Sequence, residues 1–225
     1  MSVRRLLESA TETLATAGVA SPRNDAEILL SHVTGVPRAL LLMTARTDDR
    51  QRASFDEMIT ARARRIPLQH LTGSAGFRYV DVEVGPGVFV PRPETELLAG
   101  WAIDQIKQME SPVVVELCAG SGAISLSIVN EVPRARVHAV ELDEKAFGWA
   151  QINLSGTGVD LRQGDMADAF TDLDGTVDVV VVNPPYIPLE AWESVTEEVR
   201  DHDPALALWS GEDGLDAMHV VEQVA

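Results

Sequence analysis

Apolar spacing divides the chain into a helical front and an alternating strand–helix remainder. Leu6, Leu7, Ala10, Leu14 and Ala17 recur at helical intervals, and Gly18 closes that segment. Ser21-Pro22 supplies an N-cap and a first-turn proline, leading into Ile28, Leu29, Leu30 and Val33 before Gly35. A third pattern runs from about Asp48 to Arg65, with Phe55, Met58, Ile59 and Arg62 on one face, and Pro67 stops it. Residues 1–74 therefore predict a compact helical domain with no catalytic constellation of its own. Phe77, Tyr79, Val82, Val84, Val88 and Val90 surround Gly85-Pro86-Gly87. They predict a hairpin linker over 75–91, two extended runs joined at that glycine turn.

The remaining segment, 92–225, opens with the helix started by Pro91-Arg92-Pro93-Glu94-Thr95-Glu96, running to about Gln108. Val113-Val114-Val115 is a buried strand, followed by the tight loop Cys118-Ala119-Gly120-Ser121-Gly122 and a helix over Ala123–Asn130. A strand over Val137–Val140 ends in Glu141, a helix spans Asp143–Leu154, and a short strand near Val159–Leu161 ends at Gly164-Asp165. The apolar strand Val177–Val182 runs straight into Asn183-Pro184-Pro185-Tyr186. Strands and helices alternating at this length predict a doubly wound α/β fold with a parallel sheet. Ligands bind beyond the carboxyl ends of such strands, and each polar cluster falls at one, so all should converge on one cleft.

The 225 residues suit one large domain or one domain plus a smaller one, and 45% hydrophobic content can build a core. Charge is uneven: residues 1–80 balance at +3 and residues 81–225 at −20. An acidic surface repels a phosphate backbone but tolerates or attracts a basic protein, so direct nucleic-acid binding is not expected. One cysteine excludes a disulfide framework and a Cys-based zinc cage, and points to a reducing compartment, here the cytoplasm. No apolar run approaches the ~18 residues of a membrane span. The five histidines show no ligand spacing, so no metal site is expected.

Glu116, Gly120 and Gly122 follow the logic of nucleotide-binding turns, where glycine permits a tight loop and close approach of backbone to ligand. The third glycine of a pyrophosphate fingerprint and a Walker lysine are both missing, and Glu141 lies where an acidic residue can accept from ribose hydroxyls. The set suits an adenosine ligand without a pyrophosphate; the loop alone is also compatible with an ordinary strand–helix turn. Cys118 reads as a small packing residue rather than a nucleophile.

Asn183-Pro184-Pro185-Tyr186 is the most specific feature. A planar NH2 group is a poor nucleophile because its lone pair is delocalised. The Asn183 side-chain carbonyl and the Pro184 backbone carbonyl can each accept one of its hydrogens, and the proline pair holds the second carbonyl still. Nitrogen rehybridisation toward tetrahedral is then favoured, with its lone pair aimed at an electrophile. Tyr186 can stack on the planar group and face a cationic methyl donor. No strong base is required, since the nitrogen becomes acidic once alkylated.

With Val90-Pro91-Arg92-Pro93-Glu94-Thr95-Glu96, Glu116 to Ile124 and Asn183 to Pro188, the chain resembles the PrmC/HemK family. The resemblance extends to Pro67–Gly73 and to Asp203-Pro204-Ala205-Leu206-Ala207-Leu208. It implies a Rossmann-like class I methyltransferase that uses S-adenosyl-L-methionine to methylate the glutamine side chain of a Gly-Gly-Gln motif in peptide chain release factors. The helical domain would help recognise that partner, and the enzyme would act as a monomer. Glu116, Cys118, Ala119, Gly120, Ser121 and Gly122 would then face the donor with Asn183, while Glu141 holds its ribose, Asp165 accepts from the adenine amino group and Met166 lies beside the ring. Asn183, Pro184, Pro185 and Tyr186 would grip the amide. Glu116 and Glu141 stand where Asp is common, and Cys118-Ala119 replaces Gly-Thr. The chain ends at Ala225 within the helix before an expected fifth strand, so a C-terminal truncation that uncovers an apolar sheet edge is expected. The rival readings are an adenine N6 methyltransferase acting on DNA or RNA, which the acidic balance opposes, and a non-catalytic donor-binding protein, which has no need of the tetrapeptide.

Overall fold

The computed structural model describes residues 2–44 and 46–225; Met1 and Ala45, within the expected helical segment, lie outside the described residues. The chain divides into two compact units, residues 1–73 and 74–225.

The first unit is helical: α1 (Val3–Thr16), α2 (Pro22–Thr34), α3 (Leu41–Thr44), α4 (Asp49–Ala63) and α5 (Leu68–Thr72). The α1 stripe of Leu6, Leu7, Ala10 and Leu14 packs with Leu29, Leu30, Leu41, Phe55 and Ile59 as one core. A capping box starts α4, where Asp48 accepts from Gln51 N and the Gln51 side chain accepts from Asp48 N. Ser21 precedes α2 without a side-chain cap bond, so Pro22 and the left-handed Gly35 define its ends. Arg62 shares the buried face of α4 because it has a partner: its Nε donates to Asp25 Oδ2 at 2.8 Å, with both side chains buried.

The second unit opens with an antiparallel hairpin of β1 (Ser74–Phe77) and β2 (Val80–Glu83). Its turn is Arg78-Tyr79, not the expected Gly85-Pro86-Gly87. Arg78 takes φ +52°, and its guanidinium is held by both Glu131 oxygens at 2.6 and 2.9 Å and by the Glu96 carbonyl at 3.0 Å. The glycines do form a turn, closed by Val88 N donating to Gly85 O at 3.3 Å with Gly87 at φ +94°, but it follows the hairpin and also serves packing. A Cβ on Gly85 would lie 2.5 Å from the Trp149 ring, and one on Gly87 2.8 Å from the Lys145 side chain.

After α6 (Pro93–Ile106) come β3 (Val113–Leu117), α7 (Ala123–Glu131), β4 (Arg136–Glu141), α8 (Glu144–Leu154), β5 (Asp160–Gln163) and β6 (Val179–Val182). The short α9 (Glu197–His202) and α10 (Asp216–Val224) follow. The sheet order is β5-β4-β3-β6, with every pair parallel. Central β3 is buried at all five positions, as expected of a strand covered on both faces. Val82, Ile103, Ile106, Val114 and Ile128 belong to the core on one side, while Val115, Leu117 and Val140 meet Met166, Phe170 and Leu173 on the other. Leu117 pairs with both Val140 and Val182, so β3, β4 and β6 end side by side. No helix among the described residues is long and apolar enough to cross a membrane.

Candidate active site

The four strand ends open on one cavity of about 720 Å³, within the usual range for a small-molecule site. Glu116, Cys118, Ala119, Gly120, Ser121, Glu141, Asp165, Met166, Asn183, Pro184, Pro185 and Tyr186 all line it. Gly122 does not. It precedes α7 with φ +78°, and a Cβ there would lie 3.0 Å from the Leu154 side chain, so its lack of a side chain lets α7 approach α8.

The loop after β3 is built from left-handed residues: Cys118 at φ +56°, Gly120 at φ +57° and Gly122. Ala119 N donates to Val140 O at 2.9 Å, and Gly122 N closes the turn on Ala119 O at 2.8 Å. Glu141 ties this loop to the end of β4. Its Oε2 accepts from Gly120 N at 2.7 Å and its Oε1 from Asp143 N at 2.8 Å. Burial raises the Glu141 carboxyl above its usual value, and the Asp143, Gly120 and Leu142 amides oppose that rise.

Glu116, fully buried on β3, accepts from the backbone N–H of Ser125 at 2.9 Å and also from its hydroxyl. Burial still pushes the Glu116 carboxyl up to about 7. Cys118 contacts Met166 sulfur to sulfur at 3.7 Å. Burial, then the charges of Glu141, Glu116 and Asp165, push its thiol up to about 12, so no thiolate nucleophile is available. Asp165 Oδ1 accepts from Ala167 N at 2.9 Å, and Arg162 Nη1 binds Ala169 O at 2.6 Å, which fixes the loop carrying Asp165 and Met166.

At the end of β6, Asn183 is half-buried and its side-chain amide makes no hydrogen bond among the described residues. The Pro184 carbonyl accepts none there either. The chain just beyond is clamped: Ile187 N donates to Leu208 O at 2.9 Å, Ser210 N to Ile187 O at 3.1 Å and Leu189 N to Gly211 O at 3.0 Å. Gly214 packs so closely on Tyr186 that a Cβ there would lie 2.5 Å from its carbonyl oxygen. Tyr186 itself is 65% exposed and lines the cavity. Two free acceptors on a rigid frame are suited to a group with two N–H donors. Among the described residues, no cluster of three or more His, Cys, Asp or Glu could hold a metal ion.

Sequence reasoning missed the Ser125 partner of Glu116 and the ion pair between Arg92 and Asp203, whose Nη2–Oδ2 distance is 2.5 Å. Both members of that pair lie in segments already singled out, but their separation of 111 positions gives no local signal.

The PrmC N-terminal domain family model matches residues 5–73, and the Methyltransferase small domain model matches residues 69–200. The release factor glutamine methyltransferase of Streptomyces coelicolor is 56% identical over 218 residues, which cover 96% of this chain and 77% of that protein. The chain belongs to the release factor glutamine methyltransferase family. Another member, from Mycolicibacterium smegmatis, is 47% identical over 225 residues, 99% of this chain and 79% of that protein. A 4-amino-L-phenylalanine/4-methylamino-L-phenylalanine methyltransferase from Streptomyces pristinaespiralis is 38% identical over 231 residues, 100% of this chain and 78% of that protein.

As a release factor glutamine methyltransferase, the protein takes S-adenosylmethionine as its methyl donor. The cavity fits that molecule. A Cβ on Gly120, at the cavity wall, would meet no atom within 4 Å, so the missing side chain leaves open space there. Glu141 and Asp165 could offer carboxylates to a ligand that carries a cationic sulfonium, an ammonium, ribose hydroxyls and an amino-purine, with the buried Glu116 carboxyl behind them.

Proposed function

We propose that this protein methylates the side-chain amide nitrogen of the glutamine in the Gly-Gly-Gln motif of peptide chain release factors, as a cytoplasmic monomer. The observation that supports this reading is the pair of unengaged acceptors, Asn183 Oδ1 and Pro184 O, on adjacent residues that line the cavity at the end of β6.

When bound, S-adenosylmethionine supplies an electrophilic methyl carbon on a cationic sulfur. Asn183 and Pro184 each accept one amide N–H of the glutamine and draw its nitrogen lone pair out of conjugation. Pro185 keeps the Pro184 carbonyl from turning away, and Tyr186 covers the planar amide and shields it from water. The donor would supply the methyl group and take the electron pair of its carbon–sulfur bond, and the alkylated, acidified nitrogen would lose its extra proton to solvent once Tyr186 no longer covers it. Glu141 accepts from ribose hydroxyls with the lone pairs left by Gly120 and Asp143, Asp165 accepts from the adenine amino group, and Met166 lies against the ring. Glu116, Cys118, Ala119, Gly120 and Ser121 form the wall behind the methionine portion, and Gly122 supports that wall through its packing. The helical segment 1–74, with its mild basic excess, contributes to recognition of the release factor, and 75–91 joins it to the catalytic segment 92–225. The −20 balance of residues 81–225 disfavours a DNA or RNA acceptor.

The same grip suits an aryl amine, and the Streptomyces pristinaespiralis relative makes 4-amino-L-phenylalanine the competing acceptor. Incubation with labelled donor and each acceptor, followed by mass spectrometry of the digested release factor, separates them. Label on the Gly-Gly-Gln glutamine is expected; label only on the free amino acid, or on nucleic acid, would overturn the reading. Asn183→Ala should retain donor binding and lose transfer by roughly 10²–10³-fold.

A further inference from the structure

Two segments of the catalytic unit have no role in the chemistry above, yet they meet. Arg92 precedes α6, lines the cavity and lies over the Phe89 ring at 4.7 Å. Asp203 follows α9, and its carboxylate is completely buried against Arg92, which is itself about one-third exposed. From Asp203 the chain passes through Pro204 and the turn Ala205–Ala207 to Leu208 and Ser210, the residues hydrogen-bonded to Ile187 just after Tyr186. Pro204, Leu206, Leu208 and Trp209 line the cavity as one wall.

We propose that Arg92 and Asp203 are a positioning pair that holds the Pro204–Ser210 wall against the Asn183–Tyr186 grip and so sets the acceptor side of the cavity. Neither residue bonds to the Gly120 loop or to Glu141, so the donor side does not depend on them. The proposal rests on the reading that the grip holds the acceptor amide. The groups facing Asp203 are the Arg92 guanidinium, the Val90 backbone N–H and His202 at the end of α9. Burial pushes the Asp203 carboxyl from 3.8 up to about 6 against their pull. Its charge, and with it the pair, fades as pH falls through that value.

The test compares wild type with Arg92→Lys, Arg92→Met and Asp203→Asn. Donor Kd is measured by calorimetry, and acceptor KM and kcat with a release factor from about pH 5 to 8. Asp203→Asn keeps the shape without a buried charge, so it stays informative if Arg92→Met, which strands the Asp203 carboxylate, folds poorly. Acceptor KM should rise at least about tenfold in Arg92→Met and Asp203→Asn, with partial recovery in Arg92→Lys and donor Kd held within about twofold. Wild-type KM should climb as pH falls through about 6, whereas in Asp203→Asn it is already high and flat. Donor Kd weakening in step with acceptor KM, or an unchanged acceptor KM, would overturn the pair's role. A wild-type protein that transfers nothing to the release factor overturns the proposed function, and this inference with it. An active wild type with indifferent variants overturns the inference alone.

Discussion

Gly120 donates its backbone N–H to Glu141 Oε2 at 2.7 Å, so one carboxylate braces the glycine loop at the cavity wall, where we propose that it also meets the donor. An aspartate at this position would be one methylene shorter, with less reach to the Gly120 and Asp143 amides together. The expected consequence is that Glu141→Gln, which keeps one oxygen acceptor and adds an amide donor facing an N–H, weakens donor binding by roughly tenfold. Glu141→Ala should weaken it further. Calorimetry checks both; an unchanged Kd in the alanine variant would remove Glu141 from the donor site.

The two loop glycines should separate by experiment. Gly120→Ala meets no neighbour, so its stability cost is the left-handed backbone alone, about 1 kcal/mol. Its methyl group occupies open space at the cavity wall, so donor affinity should fall at least about tenfold. Gly122→Ala presses on Leu154 and should cost a further ~1–3 kcal/mol by urea unfolding, with a smaller effect on donor affinity. The reverse order in either measurement would exchange their roles.

What the sequence made legible is local. Short valine runs broken by glycine turns mark β3 and β6, and the tetrapeptide after β6 states its chemistry in four adjacent residues. What stayed hidden depends on distant partners. Gly85-Pro86-Gly87 predicts the hairpin turn because glycine and proline favour turns. They do turn the chain, but after the hairpin and packed on Trp149 and Lys145 of α8, while Arg78 can turn the hairpin because Glu131, 53 positions away, holds it. Arg62 fits the apolar stripe of α4 through Asp25, 37 positions earlier, and through the Ile66 carbonyl. Periodicity reports which residues face inward and is silent on the pairing that makes a charge tolerable there.

Cys118 occupies a left-handed position, φ +56°, that suits glycine better. Cys118→Gly relieves that conformation and should stabilise the protein by about 1 kcal/mol, less whatever freedom glycine adds to the unfolded chain. With its thiol pushed up to about 12, Cys118 in the native protein should react with iodoacetamide far more slowly at pH 8 than free cysteine does. A rate equal to that of the denatured protein would show a thiolate where the fold should suppress one.

Glu116 contributes to the pH dependence of stability. Its carboxyl rises from 4.5 to about 7 in the folded protein, chiefly through burial and despite two hydrogen bonds from Ser125. The folded state therefore binds this proton more tightly than the unfolded chain. Between pH 4.5 and about 7 the unfolded chain holds the smaller share of protons, so stability falls as pH rises, and the loss is complete above the folded value. Its full size is on the order of 3 kcal/mol. Glu116→Gln removes the ionisation and keeps an oxygen for the Ser125 N–H. The variant should match wild type near pH 4.5 and gain steadily over it toward pH 8, where its Tm lies higher by about 6–12 °C. Thermal melts across that range decide it: a difference that does not grow with pH would mean that Glu116 ionises as freely in the fold as in water.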